Sequence, residues 1–423
     1  MQNKHILYIT YDGLTDFLGQ SQVLPYIIGL EKEGCRFSIL SFEKKEKYET
    51  NKNVIEALIL GKNIQWYPKT YHKKFSILAT IWDLLIGFIF VTKLHFKDFP
   101  SMRSNIHFKD AFHAVHCRSY IPSILGLLSK KIFHTKFIFD MRGFWADERV
   151  DGGLWNLNSF IFKRVYQLFK WIEKKCILNA DYIVTLTQNS YVEMQQWKYV
   201  TSTVPFKIIP CCADLNVFNP NNIVVADVVK RKQELAIENQ IVISYLGSIG
   251  TWYMIDEMLN FFKQFLTSHP SAIFLFITPE EKNVIESIVE THGIQFDRIR
   301  ITKAQRREVP TYISLSTYSL FFIKPSYSKK SSSPTKLAEI MAMGVPVICN
   351  NNVGDVEQQV LAAKAGFIIE EFNTESYINI ICELENNFDM HFQKEIVEKY
   401  VQQNFSLENG LKSYSEIYSQ ILI

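Results

Sequence analysis

The run Lys324-Pro-Ser-Tyr-Ser-Lys-Lys-Ser331-Ser-Ser333-Pro-Thr335-Lys336 leads directly into Leu-Ala-Glu339-Ile-Met-Ala-Met-Gly344. Ser333 is a favoured helix N-cap type, and Pro334 suits the first helical position, where its missing N–H costs nothing. Gly344 suits a left-handed helix stop, and the residues from Val345 to Cys349 read as a buried strand. Lys336 is the odd member, because a cation in the first turn opposes the helix dipole. No acid lies between Glu308 and Glu339 to compensate it. A cationic, serine-rich helix N-terminus without counter-ions suits an anion, phosphate above all. The alternative is a solvated Ser/Lys loop ahead of an ordinary helix.

Such a site needs a scaffold, and the chain is long enough to provide two. A length of 423 residues exceeds one typical core, and 47% apolar residues favour compact folding over disorder. The net charge of +3 conceals an asymmetry: residues 1–222 sum to +9 and residues 223–423 to −6. The basic half points to an anionic partner such as a membrane surface or a phosphorylated substrate. The seven cysteines are scattered, with no CxxC pair and no metal-ligand spacing, which suits a reducing compartment. Met1 to His5 lead straight into a strand, so no secretory signal is expected.

Strand and helix patterns alternate in both halves, which predicts parallel sheets covered by helices on both faces. The expected class is α/β, with two doubly wound Rossmann-like domains. Residues 1–215 form the first, residues 216–405 the second, and an amphipathic helix over 406–423 returns to the first. Paired sheets of this type bind ligands at their strand C-termini, with the ligand expected in a cleft between the domains.

Other residues fall at those expected edges. Gly19 and Gln20 belong to the first strand–loop–helix unit, where backbone N–H groups suit a phosphate or sugar oxygen. The loop is not GxGxxG, so dinucleotide binding is poorly supported. His116 ends a strand and is a candidate for orienting a substrate hydroxyl or moving a proton. Arg118 follows it. Asp140, Arg142, Asp147 and Arg149 lie in a charged, aromatic stretch that reads as an acceptor-side loop, with internal salt bridging as the alternative. Gly247 and Ser248 end the first strand of the second half, where small residues admit a ligand close to the backbone.

The order of elements, the Ile209-Pro-Cys-Cys-Ala-Asp214 linker and above all Ser333-Pro-Thr-Lys-Leu-Ala-Glu-Ile-Met-Ala-Met-Gly-Val-Pro-Val-Ile348 resemble glycosyltransferase family 4 of the GT-B superfamily, over essentially the whole chain. The resemblance implies a retaining transfer of a sugar from a nucleotide-diphosphate sugar, with no metal and no further cofactor. It implies that Glu339 binds the nucleotide ribose, and that Ser333, Thr335 and Lys336 cradle the diphosphate with Lys324 in support. It places Gly19 near the donor and His116 near the transferred sugar. Lys336 and His116 are the catalytic candidates. Gly19, Gln20, Gly247, Ser248, Lys324, Ser331, Ser333, Thr335 and Glu339 are the donor-binding candidates. The sequence departs from the family pattern at Ser331, where a sugar-reading Glu is usual, and in Gly247–Met254, which lacks the usual Arg and Lys. The acceptor implied is a glycan or a polyprenyl-diphosphate-linked glycan, in bacterial-type surface polysaccharide or glycoconjugate assembly, and no nucleic acid is expected. A nucleotide-sugar epimerase or a non-catalytic transferase-like subunit are the competing readings.

The longest apolar run, from Phe75 to Thr92, is interrupted by Asp83 and flanked by Lys73, Lys74, Lys93 and Lys97. It reads as a buried or interfacial helix rather than a spanning one. The expected location is therefore cytoplasmic, with an anionic membrane surface as a candidate partner on the inner face.

Overall fold

The computed structural model describes residues 3–72, 76–97, 112–200 and 204–422. The flanking Lys73 and Lys74, Phe75 and the side chain of Lys97 lie outside the described residues. The chain divides into two compact units. One runs to Pro210 and is rejoined by the helix Leu407–Ile421, and the other is Cys211–Ser406.

In the first unit, β1 (His5–Thr10), β2 (Arg36–Glu43), β3 (Ile64–Thr70), β4 (Ala114–Arg118), β5 (Lys136–Asp140), β6 (Tyr182–Thr185) and β7 (Phe206–Ile208) form one parallel sheet in the order β3-β2-β1-β4-β5-β6-β7. The order reverses direction on either side of β1, which is the doubly wound pattern. In the second unit, β8 (Val242–Leu246), β9 (Ile273–Ile277), β10 (Ile299–Thr302), β11 (Tyr318–Phe321), β12 (Val347–Asn350) and β13 (Gly366–Ile369) form a second parallel sheet, ordered β10-β9-β8-β11-β12-β13. Strand β13 is an element the sequence pattern did not single out.

Alternation along the strands decides which side chains meet which layer. Leu7, Ile9, Val115, Cys117, Phe137 and Phe139 share one face of the first sheet and pack in one buried cluster. The intervening Tyr8 and His116 point to the opposite face, where their rings lie 4.6 Å apart. The helix Leu407–Ile421 packs on that face beside the helix Leu24–Lys32, with Tyr414 edge-on to Tyr26 at 5.4 Å.

The first loop is closed by a carboxylate of the protein itself. Glu43, at the end of β2, accepts hydrogen bonds from the N–H groups of Leu14 at 2.8 Å and Thr15 at 3.1 Å, and from the hydroxyls of Thr15 and Ser41. Two of the loop amides expected to meet a ligand oxygen are therefore already satisfied. Gly19 begins the next turn so close to Gly13 that an added Cβ would lie 2.1 Å from the Gly13 carbonyl oxygen. Gln20 closes the turn through its side-chain amide, which donates to the Thr15 carbonyl at 3.1 Å.

A Cβ at Gly19 has only backbone to displace. Gly19→Ala should therefore cost about 2–4 kcal/mol of stability, read by chemical denaturation, and an unchanged midpoint would show that the loop yields freely.

Candidate functional site

The Ser/Lys segment of the second unit folds as a short 3-10 turn, Tyr327–Ser331, followed by the helix Thr335–Ala342. The turn is tied down by the Gly354 N–H donating to the Lys329 carbonyl at 2.7 Å. Pro334 occupies the cap position, with no side-chain capping bond. Ser333 was expected there, but its hydroxyl accepts from the Cys211 N–H at 3.0 Å and braces the interdomain linker segment instead. Thr335 opens the helix, which contains no acid in its first turn. Gly344 stops it at φ +67°, as the left-handed position requires.

Lys336 is buried, and its Nζ has no hydrogen-bond partner. It sits in a cage of aromatic faces, 3.7 Å from the Tyr253 ring centroid, 4.3 Å from Tyr245 and 5.8 Å from Phe321. Burial pulls its pKa well below the ordinary lysine value, with only Glu339 opposing. Ring quadrupoles support an ammonium but do not replace its hydration shell, so this cation lacks an anionic partner of its own. Gly247 forms the remaining wall. A Cβ on it would lie 3.0 Å from the ammonium, and its φ of +121° favours glycine. The Ser248 carbonyl accepts from the Tyr245 hydroxyl at 2.7 Å, which fixes one side of the cage.

Glu339 lies one turn further along the same helix, also buried, and is ion-paired with Arg306. Burial pushes its carboxyl up from the usual value, and Arg306 and Lys336 oppose that shift. Arg306 also stacks 4.6 Å over the Phe218 ring. Ser331 is buried, and its hydroxyl donates to the Ser328 carbonyl at 2.7 Å, so it is engaged within its own turn. Lys324 is exposed, with its N–H donating to the Trp252 carbonyl at 2.9 Å. Asn350, at the end of β12, bridges both backbone groups of Ile323, at 2.8 and 3.0 Å. The segment therefore assembles Gly247, Ser248, Ser331, Ser333, Thr335, Lys336 and Glu339 around one helix start.

Sequence reasoning missed Arg306 and the aromatic cage. Trp252 and Tyr253 stand where cations were sought, and their being aromatic was the available signal. Lys329 lies 3.7 Å over the Trp252 ring, so a second lysine of the motif is also held by an aromatic face.

In the first unit, His116 is buried rather than open at the sheet edge. Its Nδ1 is 2.7 Å from the Tyr418 hydroxyl, and its Nε2 is 3.5 Å from Asp140. The Tyr414 hydroxyl donates to the same Asp140 oxygen at 3.1 Å. Both tyrosines come from the helix Leu407–Ile421, which covers the histidine. Burial pulls the imidazole below its ordinary pKa against the pull of Asp140. Burial pushes Asp140 up, but Arg142, His116 and Arg118 together hold it below the usual carboxylate value. Arg118, at the C-terminal end of β4, is shared with the half-exposed Asp12 at 3.1 Å. Residues Trp145–Asp151 form a helix, not an open loop. Asp147 is committed to Lys170 at 3.0 Å and Tyr166 at 2.8 Å, and Arg149 lies 4.7 Å over the Trp145 ring. Asp147 is thus paired internally, while Arg149 rests on an aromatic face.

Residues 228–399 match the family model described as glycosyl transferases group 1. The matched residues lie in the second unit and include the cage around Lys336. A Haemophilus influenzae protein described as an uncharacterized glycosyltransferase is 23% identical over 269 residues, covering 62% of this chain and 68% of that protein. The structure of sucrose-phosphate synthase from Thermosynechococcus elongatus superposes with a TM-score of 0.71 at 15% identity, over 99% of both chains. Anabaena HepE, solved in complex with UDP-glucose, superposes with a TM-score of 0.70 at 13% identity, over 98% of this chain and 99% of its own. These likenesses show the fold: two parallel-sheet, Rossmann-like α/β units, as in the GT-B glycosyltransferases among the structural neighbours.

The buried histidine gives the first unit a pH dependence of defined sign. The unfolded imidazole binds its proton near pH 6.5, more readily than the folded one, so stability falls as pH drops below about 6.5. His116→Gln should flatten the denaturation midpoint between about pH 7 and about pH 5.5, relative to the parent protein. An identical slope in both would place the titration elsewhere.

Proposed function

We propose that the protein is a retaining, metal-independent glycosyltransferase. It moves a sugar from a nucleotide-diphosphate sugar to a glycan or polyprenyl-diphosphate-linked acceptor in surface polysaccharide or glycoconjugate assembly on the cytoplasmic side. The observation that carries this reading is the buried, unpartnered ammonium of Lys336 at the start of the Thr335–Ala342 helix. The helix amides and the ammonium converge where a leaving diphosphate would gain charge, and preorganised donors act most strongly against charge that develops in the transition state. The match of residues 228–399 to group 1 glycosyl transferases supports the reaction class. The complex of HepE with UDP-glucose supports a nucleoside-diphosphate sugar as the kind of donor.

Glu339 takes the ribose in this reading. Its carboxylate then exchanges or shares the Arg306 guanidinium with the two ribose hydroxyls. No carboxylate lies in the first turn of the helix to act as a covalent nucleophile, so transfer proceeds on one face of the sugar, with a donor phosphate oxygen accepting the proton of the acceptor hydroxyl. The C1–O bond to the diphosphate breaks, the C1–O bond to the acceptor forms, and the diphosphate leaves bearing that proton. His116 and Asp140 act as positioning residues under the Leu407–Ile421 helix. Of the three carboxyl groups an epimerase reading would use, Asp140, Asp147 and Glu148, the first two are engaged in ion pairs, which weakens that reading.

A second reading, a transferase-like subunit without turnover, is favoured by Ser331. Its hydroxyl is spent on Ser328, and no carboxylate of that turn reads a sugar. Nucleotide release from a panel of nucleotide-sugars, with and without acceptor, separates the two.

Lys336→Ala should lower kcat/KM at least about 100-fold while leaving the melting temperature near that of the parent. An unchanged rate removes Lys336 from the mechanism. Glu339→Gln should weaken nucleoside-diphosphate binding about tenfold by calorimetry, and equal affinity would remove the ribose assignment.

A further inference from the structure

The first unit carries a layer of three adjacent helices on one face of its sheet. Helix Ser76–Lys97 packs against helix Tyr120–Phe133, which packs against helix Phe160–Asn179. The contact between the first two is close, since a Cβ on Gly87 would lie 2.7 Å from Leu125. The inward sides of the layer supply Val91, Leu94, Leu125, Phe169 and Ile172 to the core.

The outward sides are equally apolar. On the first helix, Leu78, Trp82, Leu85 and Ile89 are all exposed, at spacings of four, three and four residues that place them in one stripe. On the third, Phe160, Leu168, Trp171 and Leu178 repeat the pattern and are 43–71% exposed. In this stripe the gaps are filled by cations. Arg164 lies 5.2 Å over the Phe160 ring, and Lys175 lies 5.6 Å over the Trp171 ring. Lys163 and Lys174 flank it and are exposed. The window Ile77–Phe96 is long and apolar enough to cross a membrane by composition, and only 28% of it is buried within the protein.

The sign of the charge identifies the occupant. These three helices contain only two acids, Asp83 and Glu173. Both are fully buried. Asp83 is bonded to Tyr11 and His72, and Glu173 to Lys170 and Tyr120. Every described exposed charge on the layer is therefore positive. A second copy of the same face would bring cation against cation. An anionic bilayer complements both properties at once: its interface takes Trp, Phe and Leu side chains, and its head groups take Lys and Arg.

We propose that the outer face of this three-helix layer lies flat on an anionic membrane, with the helix Phe160–Asn179 supplying the cationic half of the contact and the helix Ser76–Lys97 the apolar half. Neither helix crosses the bilayer. Vesicle binding requires no donor or acceptor, so its failure and a failure of sugar transfer are separate results.

The test is sedimentation of the full chain with vesicles of phosphatidylcholine alone or mixed with phosphatidylglycerol. Binding is expected only with the anionic mixture, and raising the salt should release the protein. The quadruple variant Lys163→Glu, Arg164→Glu, Lys174→Glu, Lys175→Glu should reduce the fraction bound at least about tenfold. Because those side chains are exposed, its circular-dichroism melt should match that of the parent. Trp171→Ala, a milder change, should weaken binding and reduce the blue shift of tryptophan emission on mixing. Salt-independent binding to neutral vesicles, or unchanged binding by the quadruple variant, overturns the proposal. Resistance to alkaline carbonate extraction overturns it in favour of a spanning helix. A dimer in sedimentation velocity that the quadruple variant dissociates, with no vesicle binding by the parent, overturns it in favour of self-association.

Discussion

A lysine without an anion is the constraint around which the second unit is arranged. Lys336 is buried in the first turn of a helix whose dipole disfavours it, and no carboxylate contacts its ammonium. Burying a charge under those conditions is expensive, and the protein meets the cost only in part, with the faces of Tyr245 and Tyr253. Several neighbouring choices follow from it. Gly247 suits its place without a side chain, since its φ is +121° and a Cβ would come within 3.0 Å of the ammonium. The hydroxyl of Ser333 is used to brace Cys211 and so leaves the helix amides uncapped. Glu339 is drawn to Arg306, which keeps it from neutralising the lysine directly. Burying this ammonium without a carboxylate costs the helix local stability.

The two units solve the same folding problem and use the result differently. Each is a parallel sheet whose strands deliver their carboxyl ends to one edge. In the second unit that edge carries an open electrostatic demand. In the first, the corresponding groups face charges of their own: Glu43 closes the loop after β1, and Asp140 is surrounded by Arg118, Arg142, His116 and Tyr414, although His116 Nε2 and one Asp140 oxygen make no hydrogen bond.

Periodicity made the alternating architecture legible, since strand and helix repeats are local. The cap anomaly at Lys336 was legible for the same reason, as dipole, neighbouring residues and glycine stop all lie within one short segment. Partners distant in sequence were not. Arg306 is 33 residues from Glu339, in a stretch with no periodic pattern, and only the fold brings it near. The burial of His116 was hidden by its sheet face. A residue ending a strand lies near the ligand edge, but alternation turned this one toward a helix 302 residues further along the chain. The charged segment after β5 looked like a loop because seven residues of helix, Trp145–Asp151, are too few to display a period.

The return of the Leu407–Ile421 helix makes the first unit discontinuous in sequence. Tyr414 and Tyr418 are synthesised only after the whole of Cys211–Ser406. During vectorial synthesis the second unit therefore has the chance to fold before the first can cover His116 and Asp140. The histidine and its carboxylate stay wetted until this helix has emerged, so a segment made after the second unit is the one that dries the interior of the part made before it.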